Sequence, residues 1–211
     1  IIVLAEGVSD IRILRASLER LHPEVFDYFS FLDHSAFRVD GGANYAVKFL
    51  KAFAAARVPA NIIAVFDNDT AGLKAMREAQ ALSLPANMAC VNLPDIAIAR
   101  SYPTIGAQGE HDMDINGKAC GIELYLGATS LKRDGRLRPV RWTGFDPGAK
   151  AHQGEVDAKA EIQAAFMNAL AKTKPGDVDA FPELKQAWDT IFAARVAEAS
   201  QRAAPEQRRW R

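Results

Sequence analysis

The chain has 211 residues, 49% of them apolar and 25% charged, and its 26 basic side chains balance 26 acidic ones to a net charge of zero. This excludes wholesale disorder and is enough for one domain with a sizeable core. Neutrality also excludes a strongly basic nucleic-acid coat, while leaving room for a local basic groove beside an acidic site.

Residues 1–7 (IIVLAEG) read as a short buried strand ended by Gly7. With no Met and no charged leader, they read as a start inside a longer protein. Ser9 is the expected N-cap of a helix carrying Ile11, Leu14, Leu18 and Leu21 at helical spacing, with Pro23 after its end. Residues 26–32 (FDYFSFL) read as an aromatic strand and 40–44 (DGGAN) as a turn. Ala46, Phe49, Leu50 and Phe53 form the apolar face of a second helix. A strand follows at 61–66 (NIIAVF), then a helix capped by Thr70 and running to about Leu82, then a strand at 87–93 (NMACVNL). Strands that are apolar throughout and alternate with helices predict an α/β fold, a mainly parallel sheet with helices on both faces.

From Pro94 to Lys118 the periodicity fails, and a long loop is expected within an insertion at about 94–145. Residues 121–127 (GIELYLG) read as a short helix or strand, and 135–145 (GRLRPVRWTGF) as a basic extended segment. A helix is expected from about Glu155 to Lys172, with Ile162, Phe166 and Leu170 on its stripe. Beyond a linker at 173–177, a last helix with Leu184, Trp188, Ile191, Phe192 and Val196 precedes a polar, basic tail. The expected division is a main domain over 1–172 and a C-terminal helical appendage over 173–211. Cys90 and Cys120 form no CxxC, and no apolar run reaches transmembrane length. A cytoplasmic protein without a membrane partner is expected.

In parallel sheets, ligands bind beyond the carboxyl ends of the strands. Glu6 and Asp67 both stand at such ends. Asp67 and Asp69, in AVFDNDTAGLKA (64–75), sit one residue apart at a strand-to-helix turn. Carboxylates so spaced can reach one cation, and Mg²⁺ takes oxygen ligands while keeping several waters. The alternative is that Asp69 or Thr70 caps the helix and Asp67 solvates the turn. Glu6 and Asp10 in EGVSD are similarly open, a metal pair or a polar loop residue beside a helix-dipole acid. The phosphatase pattern DxDx[TV] is missed by one residue, because Thr70 directly follows Asp69, and the motif comes after a complete strand–helix unit. Glu123, charged among apolar neighbours, needs a partner or a metal if buried. Lys159 shares a helical face with Ile162, Gln163 and Phe166, and either snorkels to the edge or reaches into a site. The basic run Lys132, Arg133, Arg136, Arg138 and Arg141 either tracks a phosphate backbone or forms a solvated face, and the acidic loop of Glu110, Asp112 and Asp114 reads as solvated.

Taken together, LAEGVSD, GGAN and AVFDNDTAG resemble the Toprim domain of topoisomerases, bacterial primases, recombination-repair proteins and OLD-type nucleases. That family places a glutamate after its first strand and a DxD after a later one. FDNDTAG, LPDI, YPTIG, DINGKACGIELYLG, PVRWTGF and HQGEVDAK are similar to the bacterial HEPN/Toprim proteins, over Ile1 to about Leu170. The resemblance implies a phosphoryl-transfer site using one or two Mg²⁺ or Mn²⁺ ions. Glu6 would be a general acid/base or ligand, and Asp10, Asp67 and Asp69 would be ligands by motif position. Glu123 as a further ligand and Lys159 as a catalytic cation follow from position and chemistry. Arg136, Arg138 and Arg141 are the expected nucleic-acid contacts, with DNA favoured over RNA. The resemblance also implies an upstream HEPN-type region in the same protein and a nuclease role in defence against phage, and leaves a homo-oligomer open. A non-cleaving Toprim module serving the HEPN part is the alternative. A topoisomerase would need a tyrosine nucleophile that no arrangement here supplies, and a primase would need template-handling modules.

Overall fold

A computed structural model describes residues 1–32 and 42–203, the side chains of residues 43 and 195–203 excepted. The predicted turn at 40–44 is described only from Gly42. The Val196 side chain and the tail beyond residue 203 lie outside the described residues.

In chain order, β1 (Ile2–Leu4) leads into α1 (Val8–Leu21), and β2 (Ser30–Phe31) follows a 3₁₀ turn at Phe26–Tyr28. Then come α2 (Ala43–Ala55), β3 (Ile62–Phe66), the two-residue β4 (Asn68–Asp69), α3 (Thr70–Gln80) and β5 (Met88–Asn92). The main sheet has the order β2-β1-β3-β5, with every pairing parallel. Alternate side chains of a strand face opposite sides. Val3, Ile63, Val65 and Val91 pack with Ile11, Leu14 and Leu18 of α1. Leu4, Ile62, Ala64, Phe66 and Met88 pack on the other face with Ala46 and Leu50 of α2 and Ala75 and Ala79 of α3. All five residues of β3 are buried, which is why its sequence shows no alternation. The fold is mixed α/β, with helices on both sides of a parallel sheet.

Part of the segment expected to be a loop, 94–118, instead forms a hairpin, which joins the expected extended segment in a second sheet. After a 3₁₀ turn at Ala97–Ser101, β6 (Tyr102–Gly106) and β7 (Gly109–Met113) form a hairpin. β8 (Ala119–Cys120), a 3₁₀ turn at Ile122–Tyr125 and the short pair β9 (Lys132–Arg133) and β10 (Arg136–Leu137) follow. β11 (Val140–Asp146) and β12 (Ala151–Val156) complete a sheet of order β12-β11-β6-β7, in which only β11–β6 is parallel. Every residue of β7 is exposed, so this edge strand carries no apolar signal.

β12 also corrects the start of the next helix. Glu155 belongs to the strand, and α4 runs over Lys159–Lys172. Ala158 separates them in a left-handed conformation, φ 58° and ψ 45°, which costs an alanine roughly 1–2 kcal/mol. Ile162, Phe166 and Leu170 are buried as the stripe predicts.

The helix expected as an appendage, α5 (Pro182–Ala203), shares the main core through Leu184, Ala187, Trp188 and Ile191. Trp188 Nε1 donates to the buried Ser17 Oγ of α1 at 3.0 Å, satisfying a polar group that would otherwise be stranded. Both cysteines are free thiols. Among the described residues, no helix is long and apolar enough to cross a membrane.

Candidate functional site

The register of the parallel sheet sets the site. Leu4 lies beside Ala64, and Phe66 beside Asn92, so the chain leaves β1, β3 and β5 at nearly one level. Glu6 Oε1 accepts from the Asp67 N–H at 3.0 Å, and Asn92 Nδ2 donates to the Asp67 carbonyl at 3.1 Å. The start of α1 differs from expectation. Its N-cap is Gly7, and Asp10 turns back so that Oδ2 accepts from the Gly7 N–H at 2.7 Å and Oδ1 from Ser9 Oγ at 3.2 Å. Ser9, the expected cap, serves the carboxylate instead.

The cap of α3 is Asp69 rather than Thr70. Its Oδ1 accepts from the Gly72 N–H at 2.7 Å, and its Oδ2 accepts from Gln153 Nε2 at 2.6 Å. Gln153 Oε1 accepts in turn from the Ala71 N–H at 3.1 Å, so one amide of the second sheet braces the whole turn. Thr70 is the first helical residue, and its hydroxyl donates to the His152 carbonyl at 2.8 Å. Asn68 donates to Asp95 Oδ1 at 2.8 Å and accepts from the Gly117 N–H at 3.0 Å. Antiparallel pairing of β4 with β8 then carries the chain over the turn towards Glu123.

Capping and ion binding by Asp69 are separable. Asn caps as well as Asp, whereas Ala loses about 1 kcal/mol. Asp69→Asn keeps the cap to Gly72 but sets its NH2 against Gln153 Nε2, so it is expected to lower the melting temperature of the metal-free chain less than Asp69→Ala does, while both variants weaken any divalent-ion response. Equal losses of stability in the two variants, by thermal unfolding, would contradict this division of roles.

Glu123 is 4% exposed, and its Oε1 accepts from Gln163 Nε2 of α4 at 2.8 Å. Lys159, at the start of the same helix, places Nζ 3.4 Å from Glu155 Oε2. Asp67, Asp69, Glu123 and Lys159 line one cleft of about 20 Å³, room for one water or one bare ion. Gly121 keeps it open. A methyl group there would lie 3.2 Å from Glu123 Oε2 and 3.4 Å from Asp67 Oδ2.

The electrostatics follow from crowding carboxylates out of water. Burial holds Asp67 well above the usual carboxylate range, with Asp10, Glu6, Asp69 and Glu123 adding to the rise. Burial lifts Glu6 to about 8 against the opposing pull of the Asp67 N–H, and Asp69 and Asp10 add to the rise. Asp10 is raised by burial and by Glu123. Burial pulls the Lys159 ammonium down, but Glu123 and Glu155 outweigh it and raise the group overall, so it stays charged.

This donor set fits a hard divalent cation. It is all oxygen, it carries a surplus of negative charge over Lys159, and the Asp67 carboxylate accepts no hydrogen bond from a described residue. Among the described residues, no three acidic, His or Cys side chains stand close enough to enclose an ion, so it is the donor chemistry that fits rather than a preformed cage.

The arginines lie elsewhere. Arg138 donates to Glu161 Oε2 at 2.8 Å, Arg141 Nε is shared by both oxygens of Asp157 at 2.7 and 2.8 Å, and Arg136 is exposed on β10. None of the three lines the acidic cleft. Conversely, Gln153, Asn92, Gly72 and Gly121 shape the site though no pattern marks them, and Gln163, which shares the Lys159 face, turns out to hold Glu123. Neutral amides and glycines carry no pattern of their own, and only the DxD spacing hinted at the turn that Gln153 and Gly72 support.

Compared with known proteins, the chain matches no family model, no curated protein and no solved structure. A functional reading therefore stands on the residues themselves.

Proposed function

We propose that this chain is a Toprim-type nuclease domain that hydrolyses phosphodiester bonds with Mg²⁺ or Mn²⁺. The observation that carries the reading is the convergence of Glu6, Asp10, Asp67, Asp69 and Glu123 with Lys159 beyond the ends of adjacent parallel strands. The glutamate after β1 and the DxD after β3 stand in the order the Toprim resemblance implies.

Asp67, Asp69 and Glu123, with Glu6 and Asp10 behind them, are the residues that would hold one or two cations. A bound cation would supply an activated water and charge neutralisation at the phosphate. Gln163 and Gln153 orient Glu123 and Asp69, as supporting amides do in metal sites. Glu6, which keeps its proton to about pH 8 in the metal-free chain, is placed to exchange a proton near neutrality. Lys159 remains charged and offsets developing charge on the phosphoryl oxygens. No side-chain nucleophile is needed.

The test is incubation of the purified chain with supercoiled plasmid and with oligonucleotides in Mn²⁺ or Mg²⁺. Wild type is expected to cleave DNA in preference to RNA, and Glu6→Gln and Asp67→Asn to lose at least about 10²-fold in rate. Undiminished cleavage by both variants would remove these residues from the chemistry. Metal-dependent binding without cleavage would instead support a non-cleaving Toprim module that serves an upstream HEPN-type region.

A further inference from the structure

The second sheet carries a groove that the acidic chemistry does not use. It encloses about 720 Å³ between the β6–β7 and β11–β12 hairpins. Four rings line it, those of His111, Trp142, Phe145 and His152. Phe145 and His152 are paired across β11 and β12 with ring centres 5.1 Å apart, and Trp142 lies 6.0 Å from His152. A register slip between Trp142 and Gly144 distorts β11 here, the kind of irregularity that re-aims side chains. Phe145 is 55% exposed and Met113 41%. Gly106, Gly109 and Gly144 leave the groove free of bulk between the two hairpins.

Its charge is one-sided. Among the described residues, no Asp or Glu lines the groove, whereas Lys118, Lys150 and His111 do. Along β7, His111 and Met113 face it and Glu110 lines a different hollow, so the pleat sorts acid from base. Neither lysine forms an ion pair with a described residue, and Lys118 Nζ donates only to the Asp114 carbonyl, at 2.9 Å. The groove also adjoins the acidic turn. The carbonyls of His152 and Lys118 accept from the Thr70 hydroxyl and N–H, and Gln153, the residue after His152, holds Asp69.

The geometry points to this groove as the bed for unpaired bases of a single-stranded nucleic acid, with Lys118 and Lys150 leading its phosphates to the Asp67–Asp69 cleft. Exposed rings beside unpaired ammonium groups use both the flat faces and the charge of such a strand. A duplex keeps its base faces stacked, and an apolar peptide leaves the lysines unanswered. The destination of the strand rests on the nuclease reading above, whereas the groove rests on its own lining.

The test is binding of a labelled oligothymidylate to the intact chain in EDTA, read by anisotropy and by tryptophan quenching. Single strands are expected to bind more tightly than duplex of the same length. Phe145→Ala should weaken binding about 10-fold or more. Lys118→Ala with Lys150→Ala should reduce the log–log salt slope by about 1.4. Trp142→Phe should remove the quenching while retaining most of the affinity. Phe145-dependent binding in a chain that cleaves nothing with any metal would uphold the groove and overturn the nuclease reading. Cleavage with affinity and quenching indifferent to Phe145→Ala and Lys150→Ala would overturn the groove alone. Sedimentation showing a dimer that Phe145→Ala dissolves, with oligonucleotide binding unchanged, would also overturn it, with a second copy as the occupant.

Discussion

Asp67→Asn is expected to stabilise the metal-free chain near pH 8 while removing its response to divalent ions. The sign follows from proton linkage. Glu6, Asp10 and Asp67 all have folded pKa values above their ordinary ones, Glu6 moving from 4.5 to about 8. Below about pH 4 both folded and unfolded states hold these protons, and no stability is lost. Above about pH 4 the unfolded chain releases them first, so stability falls as the pH rises, for Glu6 through a window that ends at about pH 8. Asparagine keeps the shape of Asp67 and removes its charge, so the gap between variant and wild type should widen towards pH 8. A gain of roughly 0.5–2 kcal/mol fits the usual price of a destabilised site. A cation that binds the folded wild type at a hundred times its dissociation constant adds about 2.7 kcal/mol. For a chain of this size that is roughly 5–10 °C. Thermal unfolding at pH 5, 6.5 and 8, in EDTA and in Mn²⁺, measures both effects. A wild-type-to-variant difference that stays flat with pH, or a full Mn²⁺ shift in Asp67→Asn, would refute the assignment of Asp67.

Gly72→Ala is expected to act in the opposite direction on stability and to disable the site as well. By helix propensity alone, alanine at a helical position is better than glycine by roughly 1 kcal/mol. Here the added methyl would press on the Asp67 carbonyl oxygen at a distance no carbon–oxygen contact permits. It would also lie 2.8 Å from Glu6 Oε1 and 2.9 Å from the Asp67 nitrogen. Two of the three obstacles are backbone, which cannot rotate away. Overpacking of this kind costs about 1–3 kcal/mol and more where nothing can yield, so the clash outweighs the propensity. Relief requires α3 to move off the turn, and that would break the Gly72–Asp69 cap and displace Glu6 from the Asp67 N–H. A lowered melting temperature together with lost cleavage is the expected pair of results. Gly144→Ala, whose methyl meets nothing within 4 Å, serves as the tolerated control for stability. A Gly72→Ala protein as stable and as active as wild type would mean that the approach of α3 to Asp67 is not required.

The site was more legible than the sheet that completes it. Glu6 and Asp67 announce themselves because uniformly apolar strands end abruptly in acids, and the parallel register then has to place those acids side by side. Glu123 and Lys159 stand 36 residues apart in sequence, and only folding shows that they line one cleft. Asp69 and Thr70 are both good capping types, and local pattern leaves either open; in the fold Asp69 caps through the Gly72 N–H while Gln153, 84 residues away, holds its other oxygen. Arg138 and Arg141 read as free charge in a basic run, yet Glu161 and Asp157 engage them in the folded chain.

By itself the sequence determined the parallel core and its order of elements, because burial on both faces demands continuous apolar strands and striped helices, and both are local patterns. Tertiary structure alone decided three other things. The 94–118 segment supplies the β6–β7 hairpin of a second sheet, built in part from exposed edge residues with no periodic signal. α5 belongs to the main core, since an apolar stripe does not name the surface it will cover. The carboxylates share their site with neutral amides and glycines, whose value lies in where they reach and in what they leave open.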